Sequence, residues 1–266
     1  MNGDGSPRRY GRGLHGEVVD TIGARIASGR YRPGDPLLSE PLETELGVSK
    51  TVVREALRVL AAKGLVEPRP KRGTVVRPRQ AWSLLDPDIL YWQSRSEPDP
   101  AFLQDLSEVR FIIEPEAAGL AARRRTAADL LAMELALEQM AAAGARPGGV
   151  RPDEVVVADL TFHRALLGAA HNELLSRMEA VIEAGLRIRD QLVHGGGRGA
   201  DALDVHRAVF EAVAAGDPDV AASAARRLLQ RASADAAQVV AGVDSAAARR
   251  RRPNDKASHA VGASRR

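Results

Sequence analysis

Apolar residues recur at helical spacing at the start of the chain. The first of them fall four residues apart: Leu14, Val18, Ile22 and Ile26. This spacing predicts an amphipathic helix that runs from Leu14 to about Gly29, with its apolar side against a core. The stretch "RYRPGDPL" follows, and because proline and glycine punctuate it, a turn is predicted there.

Two more helices and a hairpin are predicted after this turn. Ser39 is expected to cap a short helix that Gly47 ends, and Ser49 is expected to cap a longer one that Gly64 stops after Lys63. The stretch "LVEPRPKRGTVVRP" predicts two short strands joined by a basic turn. A helix, a glycine-containing tight turn and a second helix form a helix-turn-helix, and the hairpin would add a wing.

The chain beyond residue 100 is predicted to be helical. Residues 79–99 form a boundary segment, in which two proline-bearing turns are predicted around a short apolar stretch and Trp82 and Trp92 are expected to pack the two domains together. Helices are predicted near 100–124, 126–143, 153–170, 172–193, 199–215 and 218–241. The predicted fold is mainly α, with an N-terminal winged helix-turn-helix domain and a C-terminal all-helical bundle of six to seven helices.

The domain boundaries follow from these patterns and from composition. Residues 1–13 are polar and rich in glycine and arginine, and residues 244–266 hold an "RRRR" run with few apolar groups. Both ends are therefore expected to be disordered. Between them we predict a winged helix domain at 14–78, a linker at 79–99 and a helical domain at 100–243.

Charge is segregated along the chain. Residues 1–80 carry 15 Lys and Arg against 9 Asp and Glu, whereas residues 81–245 carry 16 against 25. A basic front on an acidic body predicts that only the front contacts a polyanion such as nucleic acid. The chain has no cysteine, which excludes disulfides and thiolate chemistry. It has no run of about 18 apolar residues and no hydrophobic signal core, so we expect a cytoplasmic protein without a membrane partner.

Candidate nucleic-acid contacts lie on the third predicted helix. The N-terminal residues of this helix enter the major groove in a helix-turn-helix, which singles out Ser49, Lys50, Thr51 and Arg54. Arginine suits the O6 and N7 atoms of guanine, while lysine and hydroxyl groups suit phosphates. Arg58 lies farther along the same stripe and is expected to meet a phosphate or only water.

The predicted wing supplies further cations. Lys71 and Arg72 lie at the hairpin tip, where a wing follows the DNA backbone or the minor groove. An ordinary solvated helix face is the alternative explanation of the stripe formed by Lys50, Arg54 and Arg58. The tight turn before the helix, the basic hairpin after it and the local positive charge favour DNA contact over that alternative.

Three polar features interrupt the apolar faces of the helical domain. Arg110 lies on a stripe that should face inward, Asp159 and His163 lie one turn apart, and His206 stands among aliphatic residues. A buried arginine needs an anion, which a carboxylate ligand would supply, and an Asp–His pair can bind one metal ion or one ligand. Ordinary alternatives exist, since Arg110 could pair with Glu114 and the other residues could simply support their helices.

The segment "LLSEPLETELGVSKTVVREALRVLAAKGLVEPRPKRGTVV" resembles the winged helix of the GntR family of bacterial transcription factors. The resemblance assigns roles to five residues: Lys50 and Arg54 as the main recognition-helix contacts, Ser49 and Thr51 at phosphates, and Gly73 in the wing. Two residues depart from the family pattern. Pro41 stands where an arginine usually reaches DNA, and Lys71 stands where the wing commonly has a glycine. These departures imply an operator preference shifted from the commonest type.

The helical segment is similar to the ligand-binding FCD domain of the FadR-type branch of that family, through the motifs "EVRFIIEPEAAGLAA", "DLTFHRALLGAAHNELL" and "HRAVFEAVAAGDPDVAASAARRLL". This resemblance implies a divalent metal, zinc or similar, bound by Asp159, His163, His206 and a fourth residue that falls at Leu228. Leucine cannot bind a metal. Water or an effector carboxylate would have to complete the three remaining ligands, and the metal would be held more weakly.

The same resemblance implies an effector. Arg110 would grip the carboxylate of this effector, with help from Arg187 or Arg189. The stretch "RQAWSLLDPDILYWQ" resembles, within that branch, the regulators of sugar-acid catabolism, galactonate-type ones in particular. The resemblance therefore implies an aldonate as the effector, and the two similar segments together cover residues 14–240.

These observations lead to one main hypothesis and two alternatives. The chain is expected to be a homodimeric repressor, and not an enzyme, that binds a palindromic double-stranded DNA operator and is released by a small carboxylate. A metal-dependent enzyme built on Asp159, His163 and His206 is the first alternative, but the sequence has no HExxH motif, nucleophile elbow or glycine-rich phosphate loop after a strand. A DNA-binding protein that takes no ligand is the second alternative.

Overall fold

Three helices and a small antiparallel sheet make up the N-terminal domain. The computed structural model describes residues 13–97, 99–145, 152–192 and 200–250. The elements of this domain are α1 (Leu14–Ala27), β1 (Pro36–Leu37), α2 (Ser39–Leu46), α3 (Lys50–Ala62), β2 (Val66–Arg69) and β3 (Gly73–Val76). The order of the three helices and the hairpin β2–β3 agrees with the prediction from the sequence.

The buried side of α3 packs against α1. The two helices share one core cluster, to which α3 contributes Val53, Ala56, Leu57 and Leu60 and α1 contributes Val18, Val19, Ile22 and Ile26. These are the apolar positions whose helical spacing predicted the two helices. Because this face of α3 is fixed in the core, the opposite face of the helix is turned to solvent.

Strand β1 is not predicted by the sequence. The sheet has the order β1-β3-β2 with antiparallel neighbours, and β1 pairs Leu37 with Thr74 where only a turn is expected. Two further backbone hydrogen bonds join Gly34 and Asp35 to Val76. A strand of two residues has no pattern of its own, so its existence depends entirely on these bonds to β3.

The ends of α2 and α3 differ in detail from the prediction. Gly47 ends α2 in the left-handed conformation, with φ of 64°, as expected. Leu38, and not Ser39, is the N-cap of α2, because the backbone is still extended at Leu38 and already helical at Ser39. Ser49 is the N-cap of α3, but its side chain forms no capping hydrogen bond. The hydroxyl of Ser49 is therefore not used by its own helix.

The predicted linker contains a helix. A 3-10 turn at Arg79–Ala81 is followed by α4 (Pro87–Ser94), whose N-cap Asp86 accepts hydrogen bonds from two backbone N–H groups of the first turn. An aspartate cap followed by proline is a strong helix start, although only a proline-bearing turn is predicted there. Trp92 of α4 is buried in the N-terminal core, whereas Leu90 is buried in a cluster of the helical domain. Helix α4 therefore belongs to both cores.

Both tryptophans contact the N-terminal core. Trp92 is 2% exposed, and its Nε1 donates a hydrogen bond to Asp20 Oδ1 at 3.1 Å. Trp82 is partly buried against the same core, and its Nε1 donates to the carbonyl oxygen of Arg77 at 3.0 Å. Of the two, Trp92 lies on the helix that enters both domains, so it is the tryptophan at the domain junction.

Seven helices form the C-terminal domain within the described residues. They are α5 (Pro100–Arg124), α6 (Ala127–Gly144), α7 (Pro152–Ala169), α8 (Glu173–Arg177), α9 (Glu179–Leu192), α10 (Ala200–Ala215) and α11 (Pro218–Arg250). The predicted mainly α fold with an all-helical second domain is confirmed. In the part of the chain that the structure describes, no helix is both long and apolar enough to cross a membrane.

The predicted helix at 172–193 is in fact two helices. The break falls at Met178, whose N–H donates to the carbonyl of Leu175 and whose carbonyl accepts from Val181, both three residues away. Such tight bonds interrupt the regular ladder and separate α8 from α9.

The last helix is longer than predicted. α11 continues to Arg250, so residues 244–250 are helical, whereas the sequence predicts disorder from residue 244. The stretch "SAAARR" explains the difference, because alanine has the highest helix propensity. The predicted disordered segments 1–12 and 251–266 lie outside the described residues.

Candidate effector site and nucleic-acid interface

The solvent side of α3 presents the residues predicted to contact DNA. Ser49, Lys50, Thr51 and Arg54 are all exposed at the N-terminal end of this helix. Among the described residues, neither Lys50 nor Arg54 has an ion-pair partner. An exposed cation without a partner is free to meet a phosphate or a base edge, so the geometry of this face agrees with the predicted role.

Arg58 differs from the other cations of the stripe. Its side chain is 75% exposed, and its Nη1 donates to Glu55 Oε1 at 2.7 Å on the same helix. A contact with a DNA phosphate would have to compete with this local partner. The position of Arg58 thus agrees with the expectation that it contributes less than Arg54.

The predicted wing is the turn between β2 and β3. Lys71 and Arg72 are exposed there, and the N–H of Arg72 donates to the carbonyl of Arg69 at 3.2 Å. Lys71 has φ of 60° and Gly73 has φ of 77°, so both adopt the left-handed conformation that favours glycine. Lysine in this conformation is less stable than glycine by about 1–2 kcal/mol.

Six polar side chains from four helices meet inside the C-terminal domain. We refer to them as the polar cluster: Arg110 and Glu114 of α5, Asp159 and His163 of α7, Arg189 of α9 and His206 of α10. Asp159 lies at the centre. Its Oδ1 is 3.2 Å from Nε2 of His163 and 3.0 Å from Nε2 of His206, and its Oδ2 accepts from Arg189 at 3.3 Å. The one-turn spacing of Asp159 and His163 therefore brings both to the same point, as predicted.

The outer nitrogen of each histidine faces an acceptor. His206 Nδ1 lies 2.6 Å from the carbonyl oxygen of Ala202, and because a carbonyl only accepts, this nitrogen carries the hydrogen. His163 Nδ1 lies 2.7 Å from Glu114 Oε2, although the two atoms are not aligned as in a hydrogen bond. In a neutral ring, Nε2 would then present a lone pair to Asp159. A second proton or a cation between these atoms would remove the repulsion.

Charges inside the polar cluster stabilise the ionised carboxylates. Burial alone would raise the pKa of Glu114, but the charges of Arg110 and His163 outweigh burial and lower it to about 2. Burial likewise opposes ionisation of Asp159, yet its contacts with His163 and His206, which donate hydrogen bonds to the carboxylate when Nε2 carries a hydrogen, hold its pKa well below the usual value. Burial alone would lower the pKa of His163, but the charge of Glu114 and the contacts with Asp159 and Glu114 together raise it. Both carboxylates are therefore anionic at neutral pH.

The donor set of the polar cluster fits a divalent metal. One ligand atom each from Asp159, His163 and His206 can be chosen such that all three lie within 4.8 Å of one another. A carboxylate and two imidazoles suit zinc and similar ions, and hydrogen-bond acceptors behind the imidazoles are typical of metal sites. The fourth predicted position, Leu228, is 3% exposed within the hydrophobic core. A metal here would have three protein ligands and open positions for another molecule.

The predicted effector-binding arginines have different surroundings. Arg110 faces inward as expected, and its Nε donates to Glu114 Oε1 at 2.5 Å, which is the pairing considered as the alternative. Its Nη2 also lies 3.4 Å from Nε2 of His163. On α9, Arg189 reaches Asp159, whereas Arg187 donates to Glu183 at 3.1 Å.

Helix geometry explains this division on α9. Residues two apart on an α-helix lie about 200° from each other around the axis, so Arg187 and Arg189 cannot both face the same point. Of the two arginines that were predicted as alternatives, the structure joins Arg189 to the polar cluster. It also adds Glu114, which sequence reasoning named only as a partner for Arg110. The four-residue spacing of Arg110 and Glu114 is visible in the sequence. The proximity of Glu114 to His163 is not, because the two residues lie on different helices.

A groove elsewhere in the domain is a separate feature. It encloses about 360 Å³ between α5 and the start of α11, and its lining includes Glu116, Arg123 and Arg226. No residue of the polar cluster lines this groove. Within the cluster, the polar side chains are instead packed against one another, so a ligand there would join or displace existing partners.

Comparison with known proteins gives matches for both domains. Residues 14–76 match the gntR family of bacterial regulatory proteins, and residues 105–231 match the FCD domain. The chain is 34% identical over 215 residues to the galactonate operon transcriptional repressor of Escherichia coli (strain K12), covering 80% of this chain and 92% of that protein. It is 35% identical over 156 residues to the HTH-type transcriptional regulator LutR of Bacillus subtilis (strain 168), covering 58% of this chain and 66% of LutR.

A solved structure supports the same fold. The structure of Lar, described as controlling expression of the Listeria monocytogenes agr system, aligns with a TM-score of 0.58 at 18% identity, over 86% of this chain and 99% of that one. The relatives named above by sequence are transcriptional regulators and not enzymes, which agrees with the expectation from the sequence. The chain therefore belongs to the GntR family of bacterial regulatory proteins, and it is a DNA-binding transcriptional regulator with an FCD domain.

Proposed function

We propose that this regulator is a cytoplasmic repressor that binds a palindromic operator as a homodimer and is released by a sugar acid of the aldonate type. Similarity to the galactonate operon transcriptional repressor supports the class of effector and the sign of regulation. Two recognition helices in successive major grooves require a twofold arrangement, which supports the dimer and the palindrome.

The polar cluster is the observation that carries the effector half of this proposal. Two guanidinium groups, those of Arg110 and Arg189, converge there on a buried set of metal-ligand type residues. An aldonate carries a carboxylate and several hydroxyl groups. Guanidinium groups bind carboxylates in bidentate geometry, and imidazole and carboxylate groups bind hydroxyls. A sugar acid therefore matches the chemistry of this cluster better than a purely apolar effector would.

A divalent metal such as zinc would be held by Asp159, His163 and His206. Bound there, the metal would supply positive charge for an effector carboxylate or hydroxyl at its open positions. Glu114 and the carbonyl of Ala202 would orient the two imidazoles from behind. Arg110 and Arg189 would then grip the carboxylate from the other helices.

The DNA half of the proposal rests on the exposed cations of the N-terminal domain. Lys50 and Arg54 would contact base edges, because they are exposed at the N-terminal end of α3 and lack ion-pair partners among the described residues. The contacts to the DNA backbone would come from three groups of residues: the hydroxyls of Ser49 and Thr51, the wing residues Lys71, Arg72 and Gly73, and Arg58 on α3. Arg58 would meet a phosphate at most, since Glu55 already binds it.

A gel shift on the DNA beside the protein's own gene tests both halves. We expect a shifted band with wild-type protein, loss of that band on addition of D-galactonate, and a stronger galactonate effect with zinc than with a chelator. His206→Ala should remove the zinc dependence but keep the shifted band. Unchanged DNA binding in D-galactonate and in every other aldonate tried would refute the effector half, and full binding by Arg54→Ala would refute the DNA half.

A further inference from the structure

Helix α4 is tied to the recognition helix α3 by a partly buried cation. Lys63, the C-cap of α3, places its Nζ 2.9 and 2.7 Å from the two carboxylate oxygens of Asp86 and 2.6 Å from Oδ2 of Asp88. The side chain of Lys63 is only 12% exposed. The N–H of Ser83 also donates to the carbonyl oxygen of Lys63 at 3.0 Å. The end of α3 is thus fixed to the start of α4.

The other end of α4 is tied to α9. Gln191 Nε2 donates to the carbonyl oxygen of Ser94 at 2.7 Å, and Ser94 is the last residue of α4. Two residues before Gln191, Arg189 binds Asp159 at the centre of the polar cluster. Helix α9 therefore contacts both the candidate effector site and α4.

A short helix held at both ends transmits displacement rather than absorbing it. The eight residues of α4 span roughly 12 Å at 1.5 Å per residue. Its side chains Leu90 and Trp92 are each about 2% exposed and lie in different cores. Because close-packed cores do not deform continuously, a shift of α9 must either move α4 or break the contact with Ser94.

We propose that Lys63 and Gln191 are positioning residues that couple the polar cluster to the recognition helix through α4. The proposal rests on the proposed function, because the signal that travels along this route is the binding of an effector. Although Lys63 is a cation at the end of the DNA-binding helix, it affects DNA binding through its contacts with Asp86 and Asp88 and not through a contact with DNA. Coupling is reciprocal, so DNA bound at α3 must also change α9.

Hydrogen exchange measured with and without DNA tests this route without an effector. The DNA is a duplex selected from random sequence by binding to the full-length protein. In the wild type, we expect DNA to slow amide exchange in both α3 and α9. In Lys63→Met and Gln191→Ala, we expect slowing in α3 to persist and slowing in α9 to disappear. Lys63→Arg should restore the response of α9, because it keeps a cation beside Asp86 and Asp88.

Gln104→Ala is the matched control for Gln191→Ala. Gln104 is exposed on α5, and its Nε2 donates to Glu108 on the same helix, so its removal should leave the response of α9 unchanged. Lys63→Met leaves two carboxylates without their cation, which can prevent folding. Gln191→Ala interrupts the same route without this effect, so the proposal can be tested even if Lys63→Met does not fold. The proposal is overturned if α9 fails to respond to DNA in the wild type, or if it responds fully in both variants.

The effector arm separates this proposal from the proposed function. Coupling of usual strength would weaken operator binding by wild-type protein about 5- to 150-fold in saturating D-galactonate. In Gln191→Ala, we expect D-galactonate to change the affinity for the operator by no more than about twofold, while calorimetry still detects galactonate binding. A wild type that neither binds nor responds to galactonate refutes the proposed function, and the exchange experiment then decides the coupling alone.

Discussion

The two ends of this molecule use arginine in opposite ways. On α3, Arg54 is exposed and has no ion-pair partner within the described residues, whereas Arg110 of α5 is 6% exposed and bound to Glu114. An exposed cation can be removed at little cost to folding, since water solvates it in either state. A buried cation is part of the fold, because its removal or the loss of its partner leaves a charge without water. The exposed face of α3 is therefore available to a partner. The polar cluster contributes to the stability of the fold, and a ligand that binds there must join or displace its existing contacts.

The largest expected effect is on stability, from removal of the carboxylate that binds Arg110. Glu114→Ala should lower the free energy of unfolding by about 3–5 kcal/mol, because it leaves the buried guanidinium of Arg110 without its closest anion. Urea unfolding of the full-length protein measures this change. Glu116→Ala is the matched control two residues away, where the pair with Arg226 is 71% and 44% exposed and is worth about 0–1 kcal/mol. Equal losses in the two variants would contradict the contrast between buried and exposed pairs.

The reverse pattern is expected on α3. Arg54→Ala should weaken operator binding about 10- to 100-fold, because a good contact to a base edge contributes about 1–3 kcal/mol of discrimination. Its free energy of unfolding should change by less than about 0.5 kcal/mol, since the side chain is exposed. Fluorescence anisotropy with labelled operator and urea unfolding measure the two quantities. Arg58→Ala, on the same stripe but paired with Glu55, should weaken binding less, and a larger loss than in Arg54→Ala would contradict the assignment.

The junction between the two regions should be sensitive to the volume of one methyl group. A Cβ atom at Gly23 of α1 would lie 2.5–2.6 Å from three atoms of the Trp92 ring, which a hydrogen bond to Asp20 holds in place. Gly23→Ala should therefore destabilise the protein by about 1–3 kcal/mol. Thermal unfolding measures the change. Gly168→Ala in α7 is the control, because nothing lies within 4 Å of its added Cβ, and it should stabilise by about 0.5–1 kcal/mol.

Much of the N-terminal domain could be predicted, because its signals are local. The spacing of Val53, Leu57 and Leu60 identifies the buried face of α3, and the exposed cations follow as the opposite face of the same helix. Strand β1 could not be predicted, because only its pairing with β3 defines it. Helix α4 had local signals in Asp86 and Pro87, but a proline beside an aspartate is also typical of a turn, which is the structure predicted there.

The polar cluster could be predicted only in part, because most of its contacts join separate helices. Asp159 and His163 share one helix, so their spacing places them together. Arg189 is 30 residues from Asp159, and His206 is 47 residues from it, and no spacing rule relates such positions. The aliphatic surroundings of His206 singled it out, but only the resemblance to a family grouped it with Asp159 and His163 and offered a choice between Arg187 and Arg189. The two arginines point to different sides of α9, and only Arg189 contacts Asp159, whereas Arg187 binds Glu183 on its own helix.

The smallest expected effect concerns the wing. Arg72→Ala should weaken binding to operator and to unrelated duplex DNA by similar factors, because a cation at the hairpin tip is expected to contact phosphates, which carry no sequence information. The slope of the logarithm of the binding constant against the logarithm of salt concentration should fall in magnitude by about 0.9, as expected for one phosphate contact. Anisotropy titrations over a series of KCl concentrations measure both. A loss confined to the operator would instead mean that Arg72 reads the minor groove. The wing would then make sequence-specific contacts together with Lys50 and Arg54. The contrast between base contacts by α3 and non-specific phosphate contacts by the wing would fail.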